Sequence, residues 1–275
     1  MDNLFFCTGM PRSGSTLLMN ILNQNPVFQC TATSGLLEAV ALVKNNWENW
    51  PEMRAMTQDE SNKLKRYVLR AMIWETYQGY SKAPNVIDKS RGWLAEAELL
   101  EWALGFKPKF LVCVRPVLDI LASFELLWRN KNKGIHPVPQ EISNKALWQT
   151  VEGRCQVLLR LDEVVGSAFN RVRDALARGL QKQMLMIEFD RLTTVPAAVL
   201  AEIYEFLELK PFEHDFEHVL QTTHEDDSAY GWLGLHDIRE QVLPVKSKWK
   251  EVIAPFLTPD NLKAYKEQNI FWRTD

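Results

Sequence analysis

The sequence predicts an α/β fold with a mostly parallel central sheet flanked by helices. Three observations lead there. Short, continuous apolar runs rich in β-forming residues are each followed by a helical pattern, which is how strands buried on both faces alternate with covering helices. Prolines 26, 84, 108 and 116 punctuate these units at their boundaries. The 275 residues are 46% hydrophobic, enough to fill one sizeable core.

Taken in order, a strand is predicted over residues 3–8 (NLFFCT) with a helix over 16–23, and a strand over 85–87 leads towards a helix over 93–104. A strand over 110–114 (FLVCV) precedes a helix over 117–129, and a strand over 183–187 precedes a helix over 195–207. Residues 146–180 place Leu147, Val151, Leu158, Leu161 and Val165 near helical spacing, which predicts a helix packed on the sheet. Residues 224–250 are polar, contain glycine and end in cations, and are expected to form a long loop of the kind that carries function. No repeat or linker divides the chain, so one domain over 1–275 is expected.

Composition excludes several classes. Lys plus Arg number 32 against 35 Asp plus Glu, a net charge of −3, so general attraction to nucleic acid is not expected and any anion site must be local. The cysteines at 7, 30, 113 and 155 are scattered without metal-ligand spacing, and no metal is expected. Cys7 and Cys113 sit in apolar runs and are expected to be buried thiols, which fits a reducing compartment. No stretch approaches the roughly 18 apolar residues of a membrane span, and Leu4-Phe5-Phe6 is too short for a signal segment. A cytoplasmic chain is expected.

The chemistry begins at Gly9-Met10-Pro11-Arg12-Ser13-Gly14-Ser15-Thr16, between a predicted strand and helix. Gly9 and Gly14 have the spacing of a phosphate-binding GxxxxGK[ST] loop, with Thr16 at its hydroxyl position and Ser15 where its lysine belongs. Such a loop aims backbone N–H groups and a helix N-terminus at one point. Arg12 adds a planar cation suited to phosphate-type oxygens. Without the lysine, nucleotide hydrolysis and kinase chemistry are disfavoured.

The segment from Pro11 to Leu18 resembles the 5′-phosphosulfate loop of the sulfotransferases, most nearly their tyrosylprotein and bacterial branch, and Pro26 at the end of NILNQNP fits that branch too. The resemblance implies a P-loop-like, three-layer fold and the cofactor 3′-phosphoadenosine-5′-phosphosulfate (PAPS), with PAP as product. It implies that Arg12, Ser13, Gly14, Ser15 and Thr16 hold the phosphosulfate. Arg115, ending the strand over 110–114, and Ser123 in the next helix resemble the family's 3′-phosphate pair. Lys248, in Ser247-Lys248-Trp249, resembles a segment that closes over that phosphate, with Ser247, Lys246 and Arg239 as lesser candidates. Phe189 stands where the family has a tyrosine.

Lys89, after Asp88, resembles the lysine that steadies the leaving group. Both family positions for a base are substituted: one is Arg91, the other falls on Ala32 or Thr33. Glu38 and His236 are the candidates left, with Asp88 disfavoured because strand neighbours face opposite ways. Trp93 is read as a core residue in preference to an adenine platform. The expected activity is sulfuryl transfer from PAPS to a hydroxyl on a small molecule or peptide; a phenolic or tyrosyl hydroxyl is chemically reasonable, and carbohydrate and lipid alcohols stay open. A P-loop-like phosphotransferase and a non-catalytic PAP- or nucleotide-binding module are the alternatives. The acceptor and the oligomeric state are not legible.

Overall fold

The computed structural model describes residues 1–130 and 146–273. Its centre is a five-stranded, all-parallel sheet in the order β2-β3-β1-β4-β5. The strands are β1 (Asn3–Gly9), β2 (Phe28–Thr33), β3 (Asn85–Lys89), β4 (Phe110–Val114) and β5 (Met184–Glu188). The helices that bear on the site and its cores are α1 (Ser15–Leu22), α2 (Leu36–Asn46), α3 (Gln58–Arg70), α4 (Ala97–Leu104), α5 (Val117–Arg129), α6 (Val151–Leu158), α7 (Val164–Ala177), α8 (Phe189–Thr194) and α9 (Pro196–Leu207).

Because side chains along a strand alternate faces, each apolar strand serves two cores. Phe6, Val86, Phe110, Val112 and Val114 face one core, with α2, α4, α5 and α7. Phe5, Cys7, Ile87, Leu111 and Cys113 face the other, covered by Leu18, Met19, Ile21 and Leu22 of α1 and by Val199, Leu200 and Ile203 of α9. The result is the expected three-layer α/β arrangement. Trp93 is fully buried against Phe6, a core residue. Among the described residues no helix is long and apolar enough to cross a membrane.

The strand order positions the site. From β1 the chain runs outward to β2, returns through β3 and crosses β1 to reach β4. The connections therefore diverge at the carboxyl end of β1, where open parallel sheets form a binding crevice. Lys89 ends β3 on one side of that point, and Arg115 follows β4 on the other.

Two expectations are corrected. Residues 146–180 form two helices, α6 and α7, with a corner at 159–163. Gly166 lets the corner close: a Cβ there would lie 2.0 Å from the Arg160 carbonyl oxygen. Leu161, read as part of the apolar face, lies in the corner and is 77% exposed. Strand β2 is an addition that continuous apolar runs do not reveal, since it carries Gln29, Thr31 and Thr33 on a sheet edge.

Candidate active site

The loop after β1 is built around three left-handed residues. Gly9 (φ 118°), Arg12 (φ 57°) and Gly14 (φ 84°) turn the chain tightly enough to bring successive amides to one side. A Cβ at Gly9 would stand 2.1 Å from the Cys113 carbonyl oxygen, so only glycine lets β1 and β4 meet there. Ser13 braces the turn from within, its hydroxyl donating to the carbonyls of Met10 (2.5 Å) and Cys113 (3.1 Å). The Ser13 side chain thus faces the protein, and only its backbone is available to an anion. No side chain caps α1, whose first internal bond runs from Leu18 N to Gly14 O, so its earliest N–H groups are left for an incoming acceptor.

A cleft of about 910 Å³ opens over this loop, lined by Arg12, Gly14, Ser15 and Thr16, by Lys89 and by Arg115, Ser123, His236, Arg239 and Lys248. The Arg12 guanidinium donates to Ser123 Oγ (3.2 Å) and to the Leu235 carbonyl. Burial, followed by the like charge of Arg115, lowers its pKa to about 10. Arg115 donates to the Arg12 carbonyl (3.1 Å) and stacks on Phe189, 4.3 Å from the ring centre. Its Nε is buried without a partner. An unsatisfied guanidinium N–H beside a nest of amides is what a bound phosphate group repairs. This side of the cleft therefore fits a nucleotide carrying more than one phosphate-type group. Arg239 and Lys248 are exposed at its rim. Ser247 is turned away, donating to Asp119 Oδ1 at 2.6 Å and so fastening the late loop to α5.

On the other side, Lys89 Nζ bonds Glu225 Oε1 at 2.6 Å and Thr16 Oγ1 at 3.3 Å. Glu225 is buried, with its Oε1 also accepting from Thr33 N (3.0 Å) and its Oε2 from Tyr230 OH (3.3 Å). Burial works to raise the Glu225 pKa, but the charge and hydrogen bond of Lys89 and the Thr33 bond outweigh it and hold it below the usual value. His236 lies between two carboxylates: Nε2 is 3.3 Å from Glu225 Oε2 and Nδ1 is 2.5 Å from Asp227 Oδ1. Asp227 Oδ2 also accepts from the His236 backbone N–H (3.2 Å). Burial is the main reason that the imidazole pKa falls below its ordinary value, with Asp227 opposing and Lys89 assisting.

The sequence-predicted residues thus divide. Arg12, Gly14, Ser15, Thr16, Lys89, Arg115, Ser123 and His236 meet in one cleft. Glu38 is exposed on α2 and is not among the residues lining the cleft. Asp88 points to the opposite face from Lys89, where it accepts from Tyr77 OH and from Trp93 Nε1 (2.7 Å), and burial raises its pKa. Glu225 and Asp227 were missed. Glu225 lies 136 positions from Lys89 on a loop just before a short 3-10 turn, Asp227–Tyr230, and its only sequence signal is its place in the polar loop.

Known proteins share this fold. The model of the sulfotransferase family matches residues 5–214. The sulfotransferase domain from the curacin biosynthetic pathway is 16% identical with a TM-score of 0.57, covering 96% of both chains. The sulfotransferase domain of the Synechococcus PCC 7002 olefin synthase is 17% identical with a TM-score of 0.56, over 99% of this chain and 95% of that one. A mouse sulfotransferase complexed with PAP is 14% identical with a TM-score of 0.53, over 97% of this chain and 82% of that one. At these identities the likeness is one of fold. No curated protein matches. The family match spans well over half of the chain, from the first strand past the last, and the chain belongs to the sulfotransferase family.

Proposed function

We propose that residues 1–275 act as one domain that transfers a sulfuryl group from PAPS to a hydroxyl acceptor, phenolic or tyrosyl, and releases PAP. The observation that carries the reading is the convergence of Lys89 and His236 on Glu225, beside an anion-binding loop. PAPS supplies an activated sulfuryl group, so the chain need only bind, orient and move charge and a proton. Backbone amides from Arg12 to Thr16 hold the phosphosulfate. Arg115 and Ser123, with Lys248 closing from the rim and Arg239 nearby, hold the 3′-phosphate, in keeping with the mouse relative's PAP complex, while Ser247 fastens the late loop through Asp119.

In the transfer, a bond forms between the acceptor oxygen and sulfur as the bond from sulfur to the 5′-phosphate oxygen breaks. Lys89 Nζ stabilises the charge that gathers on the leaving oxygen. Asp227 fixes Nδ1 as the proton-bearing nitrogen of His236, which leaves Nε2 to accept the acceptor's proton. Glu225 Oε2, 3.3 Å from Nε2, then stabilises the imidazolium formed. A phenol, with its lower pKa, asks least of this base.

Calorimetric titration with PAP, with ADP as control, tests the cofactor assignment. Micromolar PAP binding with little ADP binding is expected; equal binding of the two would overturn the 3′-phosphate site. Wild-type single-turnover transfer by His236→Gln would remove the base.

A further inference from the structure

Arg91 follows Lys89 by two residues and lines the same cleft, its side chain open to it. Among the described residues its guanidinium makes no hydrogen bond and no ion pair. The titratable groups that act on it are Arg171 of α7, a like charge, Tyr230, and Glu225, which Lys89 already holds at 2.6 Å. Arg171 has no ion pair either among the described residues. Loss of solvation around the guanidinium first, and the like charge of Arg171 second, hold the Arg91 pKa below the usual arginine value. The chain carries 35 carboxylates against 32 lysines and arginines, yet among the described residues none forms an ion pair with Arg91 or Arg171.

A planar guanidinium left unpaired inside a cleft is suited to bidentate recognition of a carboxylate or phosphate. Two residues span at most about 7 Å of chain, so an anion held by Arg91 lies close to the point that Lys89 marks. We infer that the acceptor bears an anionic oxygen group, carboxylate or phosphate, near its accepting hydroxyl, and that Arg91, supported by Arg171, selects for it. The inference rests on the sulfotransferase reading of this cleft and narrows it to acidic acceptors. Aromatic side chains Phe124, Trp148 and Trp232 line the same cleft and leave room for an apolar body behind the charged group.

The test is a panel of shape-matched compounds that differ in charge, titrated into the protein with and without PAP. The carboxylate arm compares 4-hydroxyphenylacetate with 4-ethylphenol and tyramine, and 10-hydroxydecanoate with decan-1-ol. The phosphate arm compares 4-hydroxybenzylphosphonate with 4-methylphenol. At least one anionic compound is expected to bind about tenfold tighter than its neutral partner, the worth of one charge-assisted bond. Arg91→Gln is expected to abolish that preference and Arg171→Gln to reduce it, with PAP affinity unchanged in both. A panel in which no anionic member outbinds its partner overturns the inference, as does a preference that survives Arg91→Gln. Loss of PAP binding in the wild-type protein would instead strike the cofactor reading, since the charge preference is measured without PAP as well.

Discussion

Lys89 Nζ and Glu225 Oε1 stand 2.6 Å apart, both side chains about 5% exposed, joining the end of β3 to a loop 136 positions away. Removing one member of such a pair leaves a buried charge uncompensated, at a cost of about 3–5 kcal/mol. Lys89→Met is expected to lose stability in that range on urea unfolding. The double variant Lys89→Met/Glu225→Gln should lose less than the sum of the single changes. Additive losses would show that the pair is not coupled.

Arg115 offers a second prediction. Its stacking on Phe189 and its bond to the Arg12 carbonyl hold it ready, with Nε unsatisfied. Arg115→Ala should weaken PAP binding about ten- to a hundredfold, the loss of one or two charge-assisted bonds. Arg115→Lys should recover little, because a point charge reproduces neither the fork nor the stacking. Calorimetry with PAP decides, and unchanged affinity in Arg115→Ala would defeat the assignment.

His236 titrates below the ordinary imidazole value of 6.5, mainly through burial. Its NMR titration should have a midpoint under 6.5. Asp227→Asn should move it lower, because Asp227 raises it, and Lys89→Met should move it higher, because Lys89 lowers it. The folded protein binds fewer protons here than the unfolded chain, so this group's contribution to stability is present above about pH 6.5 and is lost as pH falls below it. Shifts of the same sign in both variants would contradict the electrostatic account.

Glycine substitutions separate the loop from its surroundings. Gly9→Ala combines a φ of 118° with a Cβ 2.1 Å from the Cys113 carbonyl oxygen, and should cost about 3 kcal/mol or more. Gly35→Ala, at φ −82° with nothing within 4 Å of its Cβ, should change stability by less than about 0.5 kcal/mol. Chemical unfolding of the two side by side reads the contrast.

Much of this architecture is visible in the residues themselves. Strand β4 and helix α5 begin and end where an apolar run, Pro116 and a helical period place them, because local chemistry and burial agree there. Strand β2 is not visible, since its edge position lets polar residues into a strand. The break between α6 and α7 is set by how Gly166 meets the Arg160 carbonyl, a contact that helical periodicity does not encode. The site shows the same division. Gly9 and Gly14, Lys89 and Arg115 sit at ends of regular elements, and Ser123 stands eight positions after Arg115 in the next helix, so all carry a spacing; Glu225 and Asp227 acquire meaning only when the long loop folds back over the cleft.

The bond from Arg12 to the Leu235 carbonyl has a kinetic consequence. Arg12 belongs to the nucleotide loop, and Leu235 immediately precedes His236. On the proposed reading, occupancy of the loop therefore bears through one guanidinium on the segment that carries His236. For the proposed transfer we therefore predict sequential, ordered turnover, with the nucleotide first to enter and last to depart. In product-inhibition experiments PAP should then compete with PAPS at every acceptor concentration, while the sulfated product should compete with neither substrate.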